Sequence, residues 1–200
     1  MDEYYDVTFD EFLHWVHQND PGTTLFDGNG NDDRVQNMTD EEWEVIGEDI
    51  ANNTHLFLVT LYEGALNDHI MSFFFRGLTR SSTIEEVQLH HNGLSAAGVR
   101  SMVQFLQNTN NLITLDLHGN NLQSEGFNLL FRALRDSPIK KLNCNTCGIE
   151  SIEIDRNNFP RHLMSLDLDG NNINADGCRG LAKLLQGANA TLTTLRLENW

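Results

Sequence analysis

Cysteine is scarce in this chain. Cys144, Cys147 and Cys178 are the only three in 200 residues, too few for a disulfide framework. Long apolar runs are missing as well. The densest, "IMSFFF" at 70–75, falls far short of the roughly 20 residues that cross a bilayer. The opening "MDEYYDVTFDEFLHW" has neither the basic nor the apolar stretch of a secretory leader. We therefore expect an intracellular, cytoplasmic protein with no membrane association. The Asn-x-Thr triplets at Asn37, Asn52 and Asn189 accordingly carry little weight as glycosylation signals. Catalytic signatures are missing too: no P-loop, no G-x-S-x-G, no H-E-x-x-H and no glycine fingerprint after a strand. The expectation is a protein that is not an enzyme and holds no cofactor.

Positive charge is the other shortage. Thirteen Lys and Arg face 29 Asp and Glu, for a net charge of −16. The imbalance is local. Residues 1–55 hold fifteen acids and one basic residue, Arg34, whereas residues 56–200 hold fourteen acids and twelve basic residues. Two regions of different character meet near residue 50. Neither offers a basic face to neutralise phosphates, so nucleic acid is not the expected partner.

What the chain does have is internal repetition. "LITLDLHGNNL" (112–122) fits the pattern L-x-x-L-x-L-x-x-N-x-L, as do "IEEVQLHHNGL" (84–94) and "LMSLDLDGNNI" (163–173). "LFLVTLYEGAL" (56–66) fits except for Gly64 at the Asn position, and "LTTLRLENW" (192–200) begins a further copy. First positions fall at Leu56, Ile84, Leu112, Ile139, Leu163 and Leu192. The x-L-x-L core alternates, which predicts a short strand with one buried face. The Asn ends the strand, because its amide can bond backbone groups left open where the chain turns. Gly98, Gly126 and Gly177 each precede apolar residues at helical spacing, so an amphipathic helix returns to the next strand. Such a unit cannot bury its apolar face alone, and stacked units share one core.

On these residues the chain resembles the leucine-rich repeat proteins, in particular the ribonuclease-inhibitor-like class with a helix in each repeat. The resemblance implies an α/β solenoid with a curved parallel sheet on the concave side and helices on the convex side. It covers residues 49–200. Two irregularities stand out. The repeat starting at Ile139 is short, and its outer part, "ESIEIDRNNFPRH", leaves little room for a helix, which predicts irregular or strand-like backbone. Trp200 takes the Asn position of the last copy, so we expect a fragment of a longer array.

Cys144 and Cys147 form a C-x-x-C, a spacing also used by redox and zinc sites. In the repeat register Cys144 falls on the third leucine and Cys147 on the Asn position, which the pattern allows to be Asn or Cys. Both are read as structural, and no second C-x-x-C exists to complete a zinc site. Asn92, Asn120, Cys147 and Asn171 are thus the expected turn positions.

Residues 1–48 read as an acidic helix–loop–helix that caps the array. Thr8-x-x-Glu11 and Thr39-x-x-Glu42 are capping boxes, and the polar stretch between 19 and 38 reads as a loop. "DGNGNDDRVQNM" (27–38) resembles a calcium loop at Asp27, Asn29 and Asn31. Asp32 and Met38 stand where such a loop needs Gly and Glu, so a flexible polar loop is preferred.

The residues between the leucines project from the concave face in two columns. One holds Thr60, Gln88, Asp116, Asn143, Asp167 and Arg196; the other holds Tyr62, His90, His118, Asn145, Asp169 and Glu198. These are the candidate protein-binding residues. His90 and His118, with His91 and Asp116 nearby, are a conceivable metal or proton site, but side-by-side exposed histidines are more often incidental, and no metal is expected. The function expected is a non-enzymatic scaffold, monomeric by itself, that binds a protein ligand on the concave face. The alternative is a small-GTPase regulator, since the repeat class is similar to the activators of Ran. A third reading, part of an immune-type receptor, requires a nucleotide-binding domain that these residues do not contain.

Overall fold

The computed structural model describes residues 8–154, 159–186 and 191–198. Seven strands make one parallel sheet in chain order: β1 Leu25–Asn29, β2 Leu58–Tyr62, β3 Glu86–Gln88, β4 Thr114–Asp116, β5 Lys141–Asn143, β6 Ser165–Asp167 and β7 Thr194–Arg196. The helices are α1 Phe9–His17, α2 Asp33–Gln36, α3 Asp40–Asn52, α4 Asp68–Leu78, α5 Ala96–Asn108, α6 Gln123–Ala133 and α7 Ala175–Gln186. This is the α/β leucine-rich repeat solenoid that the periodicity implies.

Strand register explains the core. Phe26, Val59, Val87, Leu115, Leu142, Leu166 and Leu195 lie in one row across the sheet. All are buried except Leu195, which is half-buried on the last described strand. Helical faces close over this row, with Phe74 and Phe75 from α4, Phe105 from α5 and Phe127 and Phe131 from α6 all buried. Burying a large apolar side chain contributes roughly 1.5–3 kcal/mol, so the spine of the solenoid is its main source of stability.

At the turns, asparagine side chains replace missing backbone partners. Asn120 is 4% exposed. Its Nδ2 donates to the carbonyls of Leu89 (2.7 Å) and Leu117 (2.8 Å), and its Oδ1 accepts from the amides of Leu94 (3.0 Å) and Asn92 (3.1 Å). Asn171 repeats this geometry with the Cys144 and Leu168 carbonyls and the Cys147 and Ile149 amides. Asn92 reaches back to the Leu61 carbonyl and the Leu66 amide. Cys147 occupies the same place with its thiol on the Leu117 carbonyl at 3.1 Å.

The stretch between α1 and α3 departs from the expected loop. Leu25–Asn29 is the edge strand of the sheet, paired with β2 from Leu25↔Leu58 to Asn29↔Tyr62. Phe26 fills the inward row, and Gly28 stands where a second leucine would. A Cβ on Gly28 would lie 2.6 Å from Leu61 Cδ2, so the Leu61 side chain fills the space that a side chain at residue 28 would take. Phe9 and Phe12 of α1 cover Phe26, with ring centroids 6.1 and 5.4 Å away. Asp27 and Asn29 thus lie in a strand and Met38 is buried, which removes the calcium-loop geometry.

Both capping boxes form. Arg34 draws α1, α2 and α3 together, with Nε 2.7 Å from Asp10 and Nη2 2.5 Å from Glu42. Arg34 and the Thr39 amide together hold the Glu42 carboxyl below its ordinary value. Helix α3 then packs on α4 at backbone distance. A Cβ on Gly47 would lie 2.2 Å from the Phe74 carbonyl oxygen, and one on Gly77 2.3 Å from that of Glu44. Only glycine permits this approach.

The short repeat is irregular over residues 151–154; residues 155–158 of that expectation lie outside the described residues, as does Trp200. The segment is pinned on both sides. Ser124 Oγ accepts from the amides of Glu150 (3.1 Å) and Ser151 (2.9 Å), and Asn128 Oδ1 accepts from that of Glu153 (2.9 Å). On the other side Gly177 and Gly180 of α7 admit the carbonyls of Glu150 and Ile152, which a Cβ would meet at 2.6 and 2.0 Å.

Candidate functional site

Parallel pairing in constant register puts every second strand residue in a line across the concave face. The first column runs Asp27, Thr60, Gln88, Asp116, Asn143, Asp167 and Arg196. The second starts with Asn29 and Tyr62. It continues past the strand ends through His90, His118, Asn145, Asp169 and Glu198, where backbone bonds such as His91 N to His118 O (3.1 Å) and Gly119 N to Asn145 O (2.9 Å) keep the chains aligned.

Asp27 and Asn29 head the two columns, and Gln88 Nε2 donates to the Glu86 carboxylate at 2.6 Å. None of the three was among the expected site residues. The signal for the first two was present in "TLFDGNGN", which aligns with the strand pattern once Phe26 and Gly28 are accepted in place of leucines.

Part of the first column is committed to the backbone. Asp116 Oδ1 accepts from the His118 amide (2.9 Å), Asn143 Oδ1 from that of Asn145 (3.0 Å) and Asp167 Oδ1 from that of Asp169 (3.0 Å). These side chains end their strands in local turns. Their remaining oxygens link neighbours: Asn143 Nδ2 donates to Asp116 Oδ2 at 3.0 Å, and Arg196 lies 3.4 Å from Asp167 Oδ2. Thr60 Oγ1 donates to Gln88 Oε1 at 3.4 Å.

The second column carries the most distinctive feature. The rings of Tyr62, His90 and His118 stack in series, with centroids 5.3 and 4.8 Å apart and interplanar angles of 19° and 9°. His91 meets His118 edge-on at 4.8 Å. His118 Nδ1 is 2.9 Å from Asp116 Oδ1, which fixes the ring. Burial pushes the His90 pKa down, the neighbouring His118 adds to this, and Asp116 opposes it. At neutral pH the central ring is therefore uncharged. Burial raises the Asp27 carboxyl, against the pull of His90, and burial followed by the Asp27 charge raises the Tyr62 hydroxyl. Among the described residues no group of three or more His, Cys, Asp or Glu could hold a metal ion.

Beneath this face the two cysteines are shut off from solvent. Burial, with Cys147 adjacent, pushes the Cys144 thiol well above its ordinary value, the opposite of what a reactive thiolate needs. Cys178 is exposed and lies elsewhere, on α7. Among the described residues no helix is long and apolar enough to cross a membrane.

With this geometry in hand, the comparisons with known proteins are informative. A leucine-rich repeat family model matches residues 159–182. Ribonuclease inhibitor of Sus scrofa is 27% identical over 169 residues, covering 81% of this chain and 37% of that protein. NACHT, LRR and PYD domains-containing protein 13 of Homo sapiens is 25% identical over 157 residues, covering 75% of this chain and 15% of that protein. The chain thus matches well under half the length of either relative. Among solved structures, leiomodin-1 actin-binding site 2 superposes with a TM-score of 0.57 at 24% identity, covering 68% of this chain and 79% of that one. The tropomodulin C-terminal domain of Caenorhabditis elegans does so with a TM-score of 0.50 at 11% identity, covering 96% and 83%. These two likenesses concern the fold.

Proposed function

We propose that this chain, a leucine-rich repeat solenoid similar to ribonuclease inhibitor, is an intracellular protein-interaction scaffold that binds a protein ligand on its concave face and catalyses no reaction. The observation that carries the reading is the Tyr62–His90–His118 ring column. Register alone lines up these three positions, but it does not require that all three carry flat rings. Such a column presents rigid, amphipathic ring edges at little entropic cost, which is what aromatic contact residues supply at interfaces. Asp27 and Glu63 beside it and the Asp167–Asp169 pair further along add polar specificity at the rim of the contact.

The test compares the whole chain with a Tyr62→Ala/His90→Ala/His118→Ala variant. Proteins captured from a cell extract by the former and not the latter are purified, and their affinities measured for both. A loss of about tenfold or more in affinity, about 1.4 kcal/mol, supports the concave site. Equal affinities move the site off this face. Phosphate release stimulated in GTP-loaded small GTPases would replace the scaffold reading by the GTPase-regulator one.

A further inference from the structure

Three of the chain's eight histidines lie ring against ring. His90 and His118 stack face to face with centroids 4.8 Å apart, which is also the distance between adjacent strands. His91 meets both edge-on, His118 at 4.8 Å and His90 at 5.9 Å. This third ring has a seat of its own. His91 adopts a φ of 55°, in the left-handed region, where the matching positions of two later repeats are Gly119 and Gly170. A Cβ on Gly119 would lie 2.3 Å from His91 Nδ1, so the bare backbone there makes room for the imidazole.

This arrangement accepts one added proton more readily than two. Two imidazolium rings held in a stack at this distance repel each other, and the repulsion is stronger where water is partly excluded. Groups coupled in this way titrate as a unit. His118 is tethered, with Nδ1 2.9 Å from Asp116 Oδ1. The His90 ring has no hydrogen bond among the described residues, so it is the one free to turn outward. Charged and titratable groups face it from each side. Tyr62 and Glu63 stand on the β2 side, Asp116 and His118 on the β4 side, His91 follows in its own turn, and Asp27 acts from β1. Burial, then His118 and His91, oppose a proton on His90, and Asp116 and Glu63 favour one; the opposition wins. The ring is therefore neutral at pH 7 and charges only under acid.

We propose that the Tyr62–His90–His118 column is a proton-operated switch of the concave site. With both histidines uncharged, the rings stack and offer the ligand one flat surface. When the cluster takes up its second proton, His90 swings off His118 and Tyr62, the surface breaks and the ligand is released. The change consists of proton uptake from solvent, so raising the pH restores the column. The switch rests on the concave-face reading and assigns its regulation.

The first measurement uses the full chain with isotopically labelled histidine. Imidazole resonances are followed from about pH 7.5 to about pH 5, with His14, His17, His55, His69 and His162 as internal references. The cluster should titrate in two steps about one unit or more apart. The Tyr62 ring protons should shift with the second step, while the amide spectrum of the core strands stays that of the folded chain. His118→Gln should raise the His90 step by about one unit. The second measurement takes a purified protein that the parent binds and Tyr62→Ala/His90→Ala/His118→Ala does not. Its affinity is compared at the two ends of the pH range. The parent should lose about tenfold or more under acid. In His90→Gln, and in His118→Gln, that ratio should fall to about twofold or less whatever the starting affinity. In Asp27→Asn it should persist.

Independent titration of His90 and His118, or a Tyr62 signal indifferent to the His90 step, would overturn the switch and leave the concave site standing. An unchanged ratio in both glutamine variants would do the same. Loss of the ratio in Asp27→Asn would move the response to that carboxyl, and unfolding in the same step would make it global; either overturns the switch. If no protein distinguishes the parent from the alanine variant, the concave-face reading itself fails, and the switch fails with it.

Discussion

Between β3 and β4 both inward rows are aliphatic and buried asparagines close the turns; at β1 the same rows hold Phe26 and Gly28, and Asn31, at the position matching the turn asparagines, is exposed. The backbone geometry is nonetheless continuous across both regions. Interior repeats reach it by repetition of one side-chain solution. The opening unit, residues 8–53, reaches it by a different solution: three phenylalanine rings, one arginine bridging two carboxylates, and a glycine–glycine helix contact with α4. What the fold requires is filled volume beneath each strand and a partner for each turn amide, and leucine and asparagine are only the commonest way to provide them.

The largest expected break in this comparison is at the helix layer. Gly47→Val would force a side chain into the Phe74 carbonyl, which is backbone and cannot rotate away, so we expect a loss of more than about 3 kcal/mol. Gly126→Ala in the interior, with its nearest backbone atom the Ala96 Cα at 3.2 Å, should cost about 1 kcal/mol. Urea midpoints at constant m measure both, and equal costs would remove the distinction between the two helix contacts.

Next in size is the turn ladder. Asn120→Ala strands two carbonyls and two amides in the core, and we expect a loss of about 3 kcal/mol. Cys147→Ala removes a single thiol contact of consequence and should cost about 1 kcal/mol. If the two variants unfold at the same denaturant concentration, the asparagine ladder is not what closes the interior turns.

The opening unit depends on charge where the interior does not. Arg34→Ala should cost about 1 kcal/mol at low salt, because both its ion pairs are partly exposed, and the cost should shrink as salt is added. A salt-independent cost would mean that Arg34 acts by packing its stem.

The smallest expected effect separates the two regions by pH. Folded His90 has a pKa below its ordinary 6.5, so the unfolded chain takes up the proton first. Its contribution to stability is full above 6.5 and lost as pH falls through the folded value. Folded Glu42 lies below its ordinary 4.5, so its contribution is present above 4.5 and lost as pH falls further. Melting temperatures across this range should decline in two steps. His90→Gln should flatten the upper one and Glu42→Gln the lower, and any other assignment would sever the link between the ring column and the upper step.

Much of this was legible in the sequence because the repeat is a chemical regularity. The positions of Ile84, Leu112 and Leu163 announce the strands, and Thr8 and Thr39 announce the helix starts. β1 was not legible, since Gly28 removes the alternation that marks a strand and the surrounding Asn, Asp and Gly read as a turn. Of the candidate site, the two columns were visible as positions, but their heads Asp27 and Asn29 were hidden with β1. The ring stack was visible only as Tyr62, His90 and His118 recurring at one register.

The sequence by itself determined the period, the parallel sheet and the buried spine, because apolar spacing dictates which faces must meet. Only the tertiary structure decided what happens where the spacing lapses. Whether Gly47 meets Gly77, and whether Gly177 and Gly180 admit the carbonyls of the link between β5 and β6, depend on how close two backbones come. Glycine permits that distance without specifying it, and only the packing of everything around it sets the value.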